Sequence, residues 1–103
     1  MRIEVLYVPG CPHFQPAVER IEKVLVSESL RAVIEGVPVN SDAEATALQF
    51  PGSPTIRING NDVELIESKS PSLACRLYPN RSGVPSEEML RGALSRANQG
   101  EGA

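Results

Sequence analysis

Apolar residues alternate along the first positions of the chain, where Ile3, Val5 and Tyr7 interleave with Glu4, Leu6 and Val8. A period of two predicts a strand buried on at least one face. Pro9-Gly10 ends it. From Phe14 the spacing becomes helical, with Phe14, Ala17/Val18, Ile21 and Val24/Leu25 on one stripe and Glu19, Arg20, Glu22 and Lys23 opposite. That predicts an amphipathic helix of about three to four turns. Pro12 suits its first position, and Pro16 must lie near the first turn or kink the helix.

Residues 32–39 are apolar and β-branched, which predicts a second strand, and Gly36 and Pro38 within it indicate a bulge or an edge position. Ser41-Asp42-Ala43-Glu44 is a capping box that opens a short helix ending near Leu48 or Phe50. Pro51-Gly52-Ser53-Pro54 breaks the pattern, Thr55-Ile56-Arg57-Ile58 follows as a strand, and Asn59-Gly60 is a turn signal. Here the reading forks. Val63-Glu64-Leu65-Ile66 completes an immediate hairpin, or residues 60–72 form a loop and residues 73–78 the next strand. The polar, Pro-containing run Glu67-Ser68-Lys69-Ser70-Pro71-Ser72 favours the second. Residues 79–85 form another loop, and Ser86 caps a last helix with Glu87 and Glu88 in its first turn. Met89, Leu90, Ala93, Leu94 and Ala97 are its buried stripe, and residues 98–103 are expected to be a flexible tail.

The element order is therefore strand, helix, strand, helix, strand, strand, helix. A helical crossover makes the first two strands parallel and right-handed. The expectation is an α/β fold over residues 1–97, with a four-stranded mixed sheet covered by helices on both faces. A chain of 103 residues suffices for one core. No apolar run approaches the ~18 residues of a membrane span. No basic segment followed by an apolar one opens the chain, so a cytoplasmic setting with reduced thiols is expected. The 13 acidic and 10 basic residues are scattered, which offers nucleic acid no basic face. His13 is the only histidine and the two cysteines join no Cys/His cluster, so no cofactor or structural metal is implied. The oligomeric state is left open.

One short segment carries candidate chemistry. Cys11 lies in Tyr7-Val8-Pro9-Gly10-Cys11-Pro12-His13-Phe14, on a turn from strand to helix. The positive end of a helix dipole favours an anion in front of it, and the thiolate is the reactive form of cysteine. Cys11 is the candidate nucleophile. The alternative is a small apolar plug in a turn.

These residues resemble the thioredoxin-like superfamily. Cys11-Pro12-His13-Phe14 resembles its C-x-x-C site, and Ser53-Pro54-Thr55 stands where that family has a cis-proline before the third strand. Gly83-Val84-Pro85-Ser86 precedes the last helix as a glycine does in thioredoxins. More narrowly, Gly10-Cys11-Pro12, residues 52–60 and Cys75-Arg76-Leu77-Tyr78 resemble small bacterial thioredoxin-fold proteins, and the likeness covers nearly the whole chain. It implies a thioredoxin-like fold, a cis bond at Pro54 and thiol–disulfide exchange. It also implies that Pro12, Ser53 and Thr55 line the substrate, with the Ser53 backbone open to an extended thiol.

Phe14 departs from the family, because it replaces the second cysteine and rules out a local dithiol cycle. The Pro-His dipeptide is that of strongly oxidising periplasmic relatives, and it implies an acidic Cys11 thiol with His13 as a further donor. The alternative for His13 is a solvated residue at the helix start. Cys75 is either a remote resolving thiol or buried packing among Leu73, Leu77 and Tyr78. Arg57, Arg76 and Arg81 either attract an anionic thiol such as glutathione or are solvated on the surface. Three functions follow. The first is a monothiol redox protein that exchanges with protein or small-molecule thiols and disulfides. The second is a non-catalytic binding module of the same fold, with a thiolate for a soft metal. The third is a structural domain without thiol chemistry.

Overall fold

Arg2–Tyr7 forms β1, on which the sheet is built; the computed structural model describes residues 1–65 and 70–101 of the chain. Ile3 and Val5 point into one core and Leu6 into another, as a period of two requires. β2 (Val33–Pro38) pairs with β1 in parallel, from Arg2 opposite Val33 to Tyr7 opposite Pro38. β3 (Thr55–Ile58) lies antiparallel on the other side of β1, and β4 (Asn61–Asp62) lies antiparallel to β3. The protein is thus α/β, with a four-stranded mixed sheet of order β2-β1-β3-β4 and, among the described residues, three helices. These are α1 (Phe14–Ser27), α2 (Asp42–Leu48) and α3 (Glu87–Glu101). The register of β2 is unbroken, so Gly36 and Pro38 mark an edge strand and not a bulge.

The sheet is covered on both faces. On one, Ile3, Val5, Ile56 and Ile58 meet Ala17, Ile21, Val24 and Leu25 of α1 and Leu90, Ala93 and Leu94 of α3. On the other, Leu6 packs with Val39, Ala45 of α2 and Phe50, and Leu73 rests against this smaller cluster. The capping expectations hold in detail. Ser41 Oγ accepts the Glu44 N–H at 3.1 Å while the Glu44 carboxylate accepts the Asn40 N–H at 2.8 Å. Ser86 Oγ accepts the Met89 N–H at 3.1 Å. Pro16 is the third residue of α1, where a missing N–H leaves no bond unmade. Pro12 lies in the turn ahead of α1 and not at its first position, because the Phe14 N–H closes onto the Cys11 carbonyl at 3.3 Å before the helix begins.

One expectation is corrected. The fourth strand is Asn61–Asp62 and not residues 73–78. Asn59 and Gly60 both have positive φ, 51° and 86°, the requirement of a tight two-residue hairpin that brings the chain straight back onto β3. Ile66, the end of the hairpin alternative, lies outside the described residues. Residues 73–78 touch the sheet's continuation through a single bridge, Cys75 to Ser53 in parallel sense. At the C-terminus α3 continues to Glu101, past Ala97, so residues 98–101 are helical. Residues 102 and 103 lie outside the description.

Candidate functional site

Cys11 is partly buried in the turn between β1 and α1, and its thiol is free. One backbone bond holds it from behind, the Cys11 N–H donating to the Val8 carbonyl at 2.9 Å. Ahead of it, α1 begins with no side-chain cap on His13 and no acidic residue in its first turn. A helix start left in this state keeps its positive end uncompensated by the protein. Pro12 is exposed beside it.

The other two residues of the motif serve packing. The Phe14 ring lies 4.0 Å from that of Tyr7, centroid to centroid, over the edge strand. Gly36 of β2 makes room for it, since a Cβ there would stand 3.1 Å from the Phe14 ring. The His13 ring lies directly over Gly83, where even a methyl group would overlap it. His13 is the N-cap position of α1 without a side-chain capping bond, and it is half-buried rather than fully solvated; its ring seats the start of α1 on the loop before α3. The role of Gly83 was missed in the sequence, although its place just before Ser86 was visible. The Arg20 guanidinium, donating to the Pro85 carbonyl at 3.0 Å, fastens α1 to the same loop.

The peptide bond between Ser53 and Pro54 is cis. Ser53 is 2% exposed, and every polar group it has is engaged. Its N–H donates to the Ala74 carbonyl and its carbonyl accepts the Arg76 N–H, both at 2.9 Å. Its hydroxyl accepts the Val8 N–H at 3.0 Å. The backbone of Ser53, expected to be open to an extended substrate, is thus taken by the chain's own residues 74–76. Thr55 is buried too, donating to the Gly52 carbonyl at 2.7 Å and accepting from Arg76 at 3.1 Å. Both side chains build the site from within and neither faces an open surface.

Arg76 explains why this segment stays in place. Its side chain is 2% exposed, and its terminal nitrogens reach Asp62 at 2.7 and 2.8 Å and Glu64 at 2.9 Å. The guanidinium also sits 4.3 Å from the centre of the Tyr78 ring, whose hydroxyl donates to the Pro54 carbonyl at 2.8 Å. Burial opposes the charge on Arg76, but the bonds and fields of Asp62, Glu64 and Tyr78 outweigh it and hold the guanidinium more firmly charged than usual. Burial likewise pushes the Tyr78 phenol well above its ordinary range, against the pull of Arg76. Among these polar atoms only Arg76 Nε lacks a partner. Gly52, at φ 139°, lets the segment come this close, since a Cβ would meet the Ala74 carbonyl and Arg76 Cβ at 3.1 Å.

Arg76 is accordingly neither a surface residue nor open to an anionic ligand. Arg57 is also committed, donating to the Leu48 and Gln49 carbonyls at 2.8 and 3.1 Å, whereas Arg81 is exposed. Cys75 is exposed, not packed in a core, because Arg76 and Tyr78 turn inward while Cys75 and Leu77 turn out. Among the described residues, no group of three or more His, Cys, Asp or Glu is placed to hold a metal ion, and no helix is long and apolar enough to cross a membrane. No protein-family model, curated protein or solved structure matches the chain.

Proposed function

We propose that this chain is a thioredoxin-like protein that exchanges thiols and disulfides through Cys11. The strand order and senses, with a helical crossover from β1 to β2 and an antiparallel β3, support the fold resemblance carried by the sequence. One observation carries the activity: a free, partly open thiol stands just ahead of a 14-residue helix whose first turn has neither an acid nor a capping side chain. The positive end of a helix attracts an anion, and attack on a disulfide is made by an anionic sulfur.

Cys11 attacks one sulfur of a disulfide RS–SR′. A bond forms between its Sγ and the sulfur of RS, the S–S bond breaks, and R′S⁻ leaves with the electron pair. A second thiolate then attacks the mixed disulfide and returns Cys11 as the leaving thiolate. The partner has the chemistry of a small or protein thiol that approaches without backbone pairing, because residues 74–76 already occupy both backbone groups of Ser53.

The test is turnover of a small disulfide with glutathione as reductant. Cys11→Ser should lower the rate at least about tenfold, to the level of the uncatalysed exchange. A Cys11→Ser protein that keeps the wild-type rate overturns the proposal.

A further inference from the structure

The second thiol is presented from a fixed frame. Cys75 stands opposite Ser53 in the parallel bridge, and the bonds through Ala74 and Arg76 flank it on either side. It therefore holds the backbone position that an extended partner strand would take against Ser53. Residues paired in a bridge project their side chains to the same side. On that side the Ser53 hydroxyl accepts the Val8 N–H, and the Val8 carbonyl in turn accepts the Cys11 N–H. Both thiols are free, and Cys75 is exposed while its neighbour Arg76 is locked in place. A continuous chain of contacts, from Cys75 to Ser53 to Val8 to Cys11, joins the two thiol-bearing segments.

We infer that Cys75 is the resolving thiol for Cys11, so that the oxidised protein carries a Cys11–Cys75 disulfide. The inference rests on Cys11 being the nucleophile of the proposed exchange. After Cys11 has formed Cys11–S–S–R and released R′S⁻, the deprotonated Cys75 sulfur attacks Cys11 Sγ. The Cys11–Cys75 bond forms, the bond to RS breaks, and RS⁻ leaves with its electrons and takes up a proton. In sum, two protein thiols are oxidised to one disulfide and RS–SR′ is reduced to two thiols. Two equivalents of a small thiol reverse the closure and become its disulfide. An internal thiol acts at an effective concentration that a dilute external one does not reach. Phe14 removes the neighbour that would otherwise resolve Cys11, and the remote thiol takes its place.

The experiment treats the reduced full-length chain with a slight excess of glutathione disulfide, quenches with acid and maps peptides without reduction. Wild type should give a peptide linking Cys11 to Cys75 and release two equivalents of glutathione. Cys75→Ser should stop as a glutathione adduct on Cys11 with one equivalent released. If wild type also stops at that adduct, with Cys75 still free, the inference fails while the exchange function stands. If Cys11 is unmodified in both proteins, the exchange function fails and takes the inference with it.

Discussion

The turn that carries Cys11 and the junction around Ser53 are linked through Val8 and are held in opposite ways. The Cys11 turn has one backbone bond behind it, an exposed Pro12 and a helix start without a cap. At the junction, Ser53, Thr55 and Arg76 are buried and connected to Asp62, Glu64, Tyr78 and the Pro54 carbonyl. The first leaves its helix start open; the second engages nearly all of its polar groups. A reactive group belongs where the protein has not already satisfied the charge it would carry, and a frame belongs where everything is satisfied. Motif residues at such a site can thus belong to either region, and Ser53 and Thr55 belong to the frame.

Removing the frame is the largest change available. Arg76→Met leaves the carboxylates of Asp62 and Glu64 facing each other, 18% and 15% exposed, without their cation. Breaking a buried pair from one side costs about 3–5 kcal/mol, and the partial exposure of both acids places this variant near the lower end. Denaturant unfolding should show that loss. Arg76→Lys should recover little of it, since one ammonium cannot reproduce the two-pronged contact with Asp62 while also reaching Glu64. A loss below about 1 kcal/mol would mean that the segment is held by its backbone bonds alone.

Phe14→Cys tests the other region. The ring is only partly buried, so its removal should cost roughly 2–3 kcal/mol, less than the ~3–5 of a fully buried aromatic. It should also create a local dithiol, detected after mild oxidation as a disulfide between Cys11 and the introduced thiol. If stability does not change, the packing of Phe14 over Gly36 and Tyr7 has been misjudged. Gly83→Ala should cost about 1–3 kcal/mol by overpacking the His13 ring, and His13→Ala in the same protein should recover part of that. Strict additivity of the two changes would show that the ring does not rest on Gly83.

The pattern of apolar residues carried most of the fold. β1, α1 and the capped helices α2 and α3 follow from local periodicity and from Ser41 and Ser86, which are short-range signals. Residues 73–78 defeated it. Arg76 and Tyr78 alternate with Cys75 and Leu77 as strand residues do, but what they alternate toward is a distant acid pair and the Pro54 carbonyl, not a neighbouring ladder. The matching spacing of Asp62 and Glu64 was visible, yet nothing local pairs it with Arg76. At the site, the place of Cys11 on the turn from β1 to α1 was legible in the local pattern, and the cis bond at Pro54 was implied by the family resemblance. The occupied backbone of Ser53 and the contact of His13 with Gly83 were not, because both depend on loops meeting across the molecule.

The smallest effect concerns alkaline pH. The folded protein raises the Tyr78 phenol above its ordinary value of 10.0, with burial as the main cause. The corresponding stability is fully present below the unfolded value and is lost as pH rises past it, because the unfolded phenol ionises first. Stability should therefore fall above about pH 10, and Tyr78→Phe should flatten that decline. An equally steep decline in the variant would assign it to other groups.

The most direct test sets accessibility against activation. Cys75 is exposed and Cys11 only partly so, yet Cys11 is the proposed attacking sulfur. Each thiol can be measured alone, Cys11 in the Cys75→Ser protein and Cys75 in the Cys11→Ser protein, by the rate of glutathione adduct formation from glutathione disulfide at neutral pH. Cys11, ahead of the open start of α1, should react at least about tenfold faster despite its lower exposure. Equal rates, or a faster Cys75, would contradict this assignment.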